Sequence, residues 1–221
     1  MTTLTTAPVA PLLERLFAEA DQSEAAFRAA REKLPPAQQA ARRGNTEDYK
    51  TFYMTHAKDV HLAVSRDTAR LLYVLGRSIK ARSIVEFGTS FGISTLHLAA
   101  AVKDNGGGRV IGSEFEPSKV TRARANMAAA GLADLVDIRA GDALETLARD
   151  LPESIDLVLL DGAKTLYAPV LSLLAPRLRT GALVVADNAD MCPEYIEVVR
   201  DPGAGYVSVP VAEDVELTMK V

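Results

Sequence analysis

Six oxygen-bearing side chains fall at or near the ends of short apolar runs: Glu86, Glu114, Asp142, Asp161, and the pair Asp187 and Asn188. Each alone fits a turn or a helix cap. Together, at the ends of successive apolar runs, they place oxygen ligands along one edge of whatever sheet those runs build. Asp161, Asp187 and Asn188 offer only hard donors, a set suited to a divalent cation that keeps several of its waters. Lys164 follows Asp161 by three residues in the run DGAK. A lysine beside such a cation and a bound phenol is a candidate proton acceptor, because neighbouring positive charge and desolvation both favour its neutral form.

The elements that must carry these groups alternate. Ser83 to Val102, SIVEFGTSFGISTLHLAAAV, reads as a strand over Ile84 to Phe87, a tight turn from Gly88 to Gly92, and a helix through Ile93, Leu96, Ala99 and Ala100. Further strands are expected at Val110 to Ser113 ending in Glu114, Leu135 to Ile138, Ile155 to Leu160 and Ala182 to Ala186. Helices are expected over Ser118 to Ala130, Ala143 to Arg149, Tyr167 to Leu178 and Tyr195 to Arg200. Tyr206 to Val209 and Val215 to Met219 read as a terminal hairpin. This order predicts an α/β fold with a mostly parallel seven-stranded sheet, helices on both faces and a C-terminal antiparallel pair. Upstream, Leu12 to Leu34 is amphipathic and stops at Pro35 and Pro36, Gln38 to Arg43 can add a turn or two, and Ser65 caps a helix running to Lys80. Residues 1–64 are expected to form a helical cap, and residues 65–221 the ligand-binding domain. The segment Thr46 to Val64 gathers Tyr49, Phe52, Tyr53, Met54, His56 and His61. It has two readings: a helix packing its aromatic side on the core, or a lid or dimer contact shaping a substrate pocket. His56 and His61 are five apart, which does not suit a helical zinc pair.

Bulk properties narrow the classes. The chain has 221 residues, a net charge of −4 and 48% hydrophobic side chains, so it has material for a sizeable core and lacks the basic excess of a broad nucleic-acid surface. Its single cysteine, Cys192, rules out an intrachain disulfide. The Thr-rich start does not read as a signal peptide, and no apolar run approaches the ~20 residues of a membrane span. The expectation is a cytoplasmic protein acting on a small molecule. Gly106, Gly107 and Gly108 are followed by no Lys-Ser or Lys-Thr, which excludes a P-loop.

Glu114, at the end of the second strand, is placed to accept hydrogen bonds from both ribose hydroxyls of a nucleoside. The turn Gly88-Thr-Ser-Phe-Gly92 is not G-x-G-x-x-G, so it does not suit a dinucleotide pyrophosphate. A nucleoside with an amino-acid end needs only a tight turn plus polar groups, which Glu86 and Ser94 can supply. S-adenosylmethionine fits that description.

Taken together, VEFGTSFGIS, Glu114, LLDGAK and VVADNA resemble the cation-dependent class I O-methyltransferases, which include the catechol and caffeoyl-coenzyme A enzymes. The resemblance covers roughly Ser65 to Asn188 and echoes weakly in AEDVELTMK. It implies a Rossmann-like fold in which Gly88 and Gly92 shape the turn under the methionine part of the cofactor. Glu86 and Ser94 would hold its amino and carboxylate groups, Glu114 the ribose, and Asp142 or Ala143 the adenine. Asp161 would lie beside the cofactor and, with Asp187 and Asn188, bind Mg²⁺, while Lys164 would be the general base. The implied substrate is a small, catechol-like or vicinal diol. Gly162 and Ala163 stand where the family commonly has a larger or acidic residue, and the stretch after Asn188 is short, which leaves the acceptor pocket open or completed by Tyr49 to His61 or by a second subunit of a homodimer. The competing classes are a Rossmann-type NAD-dependent oxidoreductase and a cofactor-binding protein without turnover.

Overall fold

The computed structural model describes residues 1–33, 49–211 and 214–221. Among the described residues there are seven strands: β1 Ser83–Phe87, β2 Arg109–Glu114, β3 Val136–Ala140, β4 Ile155–Leu160, β5 Leu178–Ala186, β6 Tyr206–Pro210 and β7 Glu216–Lys220. They form one sheet in the order β3-β2-β1-β4-β5-β7-β6. β1 to β5 pair in parallel, and β7 runs antiparallel between β5 and β6. The expected mostly parallel sheet with a terminal hairpin is therefore what the chain builds.

Strand residues alternate between two cores because successive side chains leave opposite faces. Ile84, Val110, Leu157 and Leu183 enter one core, and their neighbours Val85, Ile111, Val158 and Val184 enter the other. Both faces are covered, so the strands read as continuous apolar runs. The first core packs under helices α1 (Val9–Glu32), α3 (Arg66–Ser78), α4 (Ile93–Asp104) and α5 (Pro117–Ala129); the second packs under α6 (Ala143–Thr146), α7 (Tyr167–Leu174) and α8 (Pro193–Arg200). α4 is buried from Ile93 through Val102. Leu12, Leu13 and Leu16 of α1 share its core with Leu96 and Ala99, so the N-terminal helix is packed into the main body.

Register sets the site. Phe87 pairs with Ser113 and Leu160, and Leu160 pairs with Ala186. The next residue on each strand, Gly88, Glu114, Asp161 and Asp187, therefore emerges in one row at the carboxyl edge. Backbone bonds carry the row past the last strand pairs, with Asp161 N–H donating to Phe87 O at 2.8 Å and Asp187 N–H to Leu160 O at 3.0 Å.

Several boundaries differ from expectation. α1 starts at Val9, because Pro11 is tolerated in a first turn; Leu34 to Asp48, including Pro35, Pro36 and the stretch Gln38 to Arg43, lie outside the described residues. Within Thr46 to Val64 only Tyr49–Thr55, here α2, is helical among the described residues. β5 begins at Leu178, ahead of the expected Ala182: a register shift opposite Ile155 and Leu157, with Gly181 at φ +79°, lets the strand run through that glycine. β3 starts at Val136 because Ala133–Leu135 forms a 3₁₀ turn, and α6 covers only Ala143–Thr146. α7 stops at Leu174, with Pro176 in the 3₁₀ turn that follows. No described helix is long and apolar enough to cross a membrane.

Candidate active site

The turn after β1 is fastened from behind. Glu86 is fully buried, and its carboxylate accepts hydrogen bonds from the hydroxyls of Thr89 at 2.8 Å, Ser94 at 2.7 Å and Thr95 at 2.5 Å. Burial raises the pKa of this carboxyl, the three hydroxyls oppose the rise, and the charge of Glu114 adds to it. Glu86 and Ser94 thus lie behind the turn and tie it to the start of α4. Gly88 has φ +99°, and a Cβ there would sit 2.3 Å from the carbonyl oxygen of Asp161. Only glycine lets β1 turn that close to the end of β4. Gly92, at φ +89°, caps α4 and faces the methyl of Met127.

In front of the turn lies a cavity of about 850 Å³, lined by Glu114, Asp142 and Ala143 on the β2–β3 side of Gly88 and by Asp161, Lys164, Asp187 and Asn188 on the β4–β5 side. Glu114 accepts the backbone N–H of Ser90 at 2.7 Å and of Glu116 at 2.8 Å, which fixes its carboxylate while leaving lone pairs free. Asp142 caps α6 through the N–H of Leu144, and α2 reaches across to it: Lys50 Nζ is 2.9 Å from its carboxylate and Tyr49 donates to it at 3.4 Å. Lys50 and the Tyr49 ring also meet Phe115. The aromatic side of α2 packs on α1 through Phe52 and Phe27, so the outer wall of the cavity is built within the chain.

On the β4–β5 side, Lys164 Nζ donates to the Tyr167 hydroxyl at 2.7 Å and to the backbone oxygen of Asp187 at 3.2 Å, and lies 3.5 Å from the Asp161 carboxylate. Tyr167 donates to the same Asp187 oxygen at 2.8 Å. Burial holds the Tyr167 and Tyr53 phenols well above their usual range, and the charge of Asp161 pushes both the same way, so both stay neutral. Burial also raises both Asp161 and Asp187; Lys164 opposes the rise, and the Asp187 charge adds to it at Asp161. Asn188, at φ +50°, lines the same wall and donates its amide to Asp214 at 3.1 Å. Among the described residues no three His, Cys, Asp or Glu side chains cluster as a metal site; the set here is two carboxylates and a carboxamide. That set still fits a hard divalent cation. Two crowded, nearly buried carboxyls are opposed by one lysine, and all the donors are oxygen.

A family described as "Methyltransferase domain" matches residues 85–189, the span from β1 to just past Asn188. Catechol O-methyltransferase of Mycobacterium tuberculosis is 35% identical over 127 residues, 58% of this chain and 57% of that one. Catechol O-methyltransferase of Niastella koreensis is 33% identical over 130 residues, 58% of each chain. Over that span the chain carries a methyltransferase domain and is similar to these O-methyltransferases. It spans a little under three fifths of the length of these curated relatives. Among solved structures, the O-methyltransferase TomG of Streptomyces achromogenes in complex with SAM is 27% identical, with a TM-score of 0.60 over 79% of this chain and 90% of that one. The O-methyltransferase of Bacillus cereus in complex with SAH shares the fold at 22% identity, with a TM-score of 0.65 over 89% of this chain and 97% of that one.

Within this fold the row of strand-end residues meets at one cavity; Glu86, Gly92 and Ser94 do not line it, and Ser94 borders a smaller one beside Gly88 and Asp161. Among the wall residues, Lys50, Phe115, Lys119 and Asp214 have no role in the sequence reading. Lys119 carried a signal. It shares the buried face of α5 with Ala123 and Met127 at i, i+4 spacing, and a lysine on an apolar stripe is unusual. Its Nζ lies 3.3 Å from the Ser90 hydroxyl and over the Phe91 ring. The other three depend on contacts between distant segments.

The raised carboxyls make a pH prediction. The folded chain keeps protons on Asp161 and Asp187 that the unfolded chain has already released, so their contribution to stability is greatest below the ordinary carboxylate value of about 3.9. It is lost as pH rises through their raised folded values. Thermal melts of the metal-free chain between about pH 5 and 8 should show this loss, and Asp161→Asn should flatten it. Because cation binding needs deprotonated ligands, Mg²⁺ should raise the melting temperature more at the upper end of that range than at the lower. Equal melting shifts at both ends would contradict the cation fit.

Proposed function

We propose that this chain is an S-adenosylmethionine-dependent, divalent-cation-dependent O-methyltransferase acting on one hydroxyl of a small catechol-like or vicinal diol. The observation that carries this reading is one cavity with a nucleoside-type wall, Glu114 and Asp142, on the β2–β3 side of the Gly88 turn and the Asp161, Lys164, Asp187 and Asn188 cluster on the β4–β5 side. Glu114 takes the ribose hydroxyls, and Asp142 with Ala143 borders the adenine. S-adenosylmethionine supplies an electrophilic methyl group on sulfur, and a dication held by Asp161, Asp187 and Asn188 supplies the charge that favours an ionised acceptor hydroxyl. Lys164 takes the hydroxyl proton at Nζ, held in place by Tyr167 and the Asp187 carbonyl. The aromatic wall of Tyr53, Phe52 and Phe27 excludes water and orients the acceptor ring. Residues 1–64 act as its cap, with α1 fixed to the core and α2 latched to Asp142.

Calorimetric titration should show S-adenosylmethionine binding and no NAD binding. Catechol methylation followed by mass spectrometry should disappear on chelation with EDTA and return with Mg²⁺. Binding of NAD alone would remove the methyltransferase reading, and methylation that survives full chelation would remove only the cation.

A further inference from the structure

Asn188 meets Asp214 across 26 residues of sequence. Its side-chain Nδ2 donates to Asp214 Oδ2 at 3.1 Å, and the next backbone N–H, of Ala189, donates to the Asp214 carbonyl at 2.7 Å. Asp214 comes from the turn joining β6 to β7, so the hairpin reaches back to the end of β5 and lines the cavity there. A carboxamide has two unlike ends: an oxygen that can bind a hard cation and an NH₂ that cannot. An ionised carboxylate only accepts, so it can pair with just one of them. With the NH₂ on Asp214, the Asn188 oxygen is turned away from Asp214.

The geometry points to Asp214 as a positioning residue that selects the cation-binding orientation of Asn188. This inference rests on the cation reading proposed above. In Asp214→Asn the shape is kept, but the charge-assisted hold on the Asn188 NH₂ is lost and the new amide can donate to the Asn188 oxygen, so it draws that oxygen away from the cation instead of presenting it. A change of charge alone is separated by the background Asn188→Asp, in which both ends are oxygen and orientation ceases to matter.

Mn²⁺ affinity of the full chain, read from the electron paramagnetic resonance of free Mn²⁺, tests this, with metal-free melts to check folding. Asp214→Asn should weaken Mn²⁺ binding on the order of 10- to 100-fold. Asp214→Glu, still charged and acceptor-only, should stay within about threefold of the unaltered chain, a small part of that supporting-residue effect. In the Asn188→Asp background, adding Asp214→Asn should cost nothing, because a double-mutant cycle removes the shared term. Equal weakening in both backgrounds would assign Asp214 a charge effect and overturn the positioning role, as would unchanged affinity in the single variant. Should Asp214→Asn fail to fold, weakening by the folded Asp214→Glu chain equal to that of Asp161→Ala would overturn it as well. If the unaltered chain binds no Mn²⁺, the cation reading falls together with the inference; the other outcomes leave that reading standing.

Discussion

Lys164→Met should lower kcat for methyl transfer by roughly 10²- to 10⁴-fold, the usual range for a positioned acid or base, while leaving S-adenosylmethionine affinity nearly unchanged. The split follows from the geometry. Lys164 stands among Asp161, Tyr167 and the Asp187 carbonyl on the β4–β5 side of the cavity, not on the Glu114 wall. Methionine fills most of the lysine's volume, so Tyr167 keeps its bond to the Asp187 oxygen and the wall should hold its shape. Lys164→Arg separates charge from proton transfer, because a guanidinium keeps the positive charge but does not give up its proton near neutral pH. Its kcat should fall with that of Lys164→Met. Single-turnover rates with calorimetric cofactor titration provide the measurement. Retention of kcat within about threefold in Lys164→Met, far short of a general-base effect, would end the assignment of Lys164 as proton acceptor.

Gly88→Ala should damage stability and cofactor binding together. A side chain at φ +99° is strained by about 1–3 kcal/mol, and a Cβ placed 2.3 Å from the Asp161 carbonyl forces a backbone shift worth a further ~1–3 kcal/mol. For a chain of this size that corresponds to a melting temperature lower by roughly 10 °C. The collision is with the peptide that starts the Asp161 turn, and Asp161 N–H is bonded to Phe87 O one residue before Gly88, so the shift should spread into both sides of the cavity. Gly106→Ala is the control. Its φ is +91°, but nothing lies within 4 Å of its Cβ position, so it carries strain without collision. Thermal melts and S-adenosylmethionine titrations of the two variants should separate; equal behaviour would show that the close approach of β1 to β4 is not what requires glycine.

Much of the fold was legible because its signals are local. Apolar runs of strand length, the cap at Ser65, and acids at the ends of β2, β4 and β5 are properties of neighbouring residues. The errors lie where local signals mislead. The strand expected from Ala182 starts at Leu178, because a register shift against β4 absorbs Gly181, and the Tyr167 helix stops at Leu174, short of Leu178.

By itself the sequence determined the α/β class and the identity of the acids and the lysine, because residue type and position after a strand are written along the chain. Tertiary structure decided which of them share a wall. Parallel register brings Gly88, Glu114, Asp161 and Asp187 into one row, and the alternation of side chains across the sheet buries Glu86 among three hydroxyls. Lys50 on Asp142 and Asp214 on Asn188 join segments 92 and 26 residues apart, and no local rule of spacing encodes such contacts. They follow from where the packed sheet sets its loops.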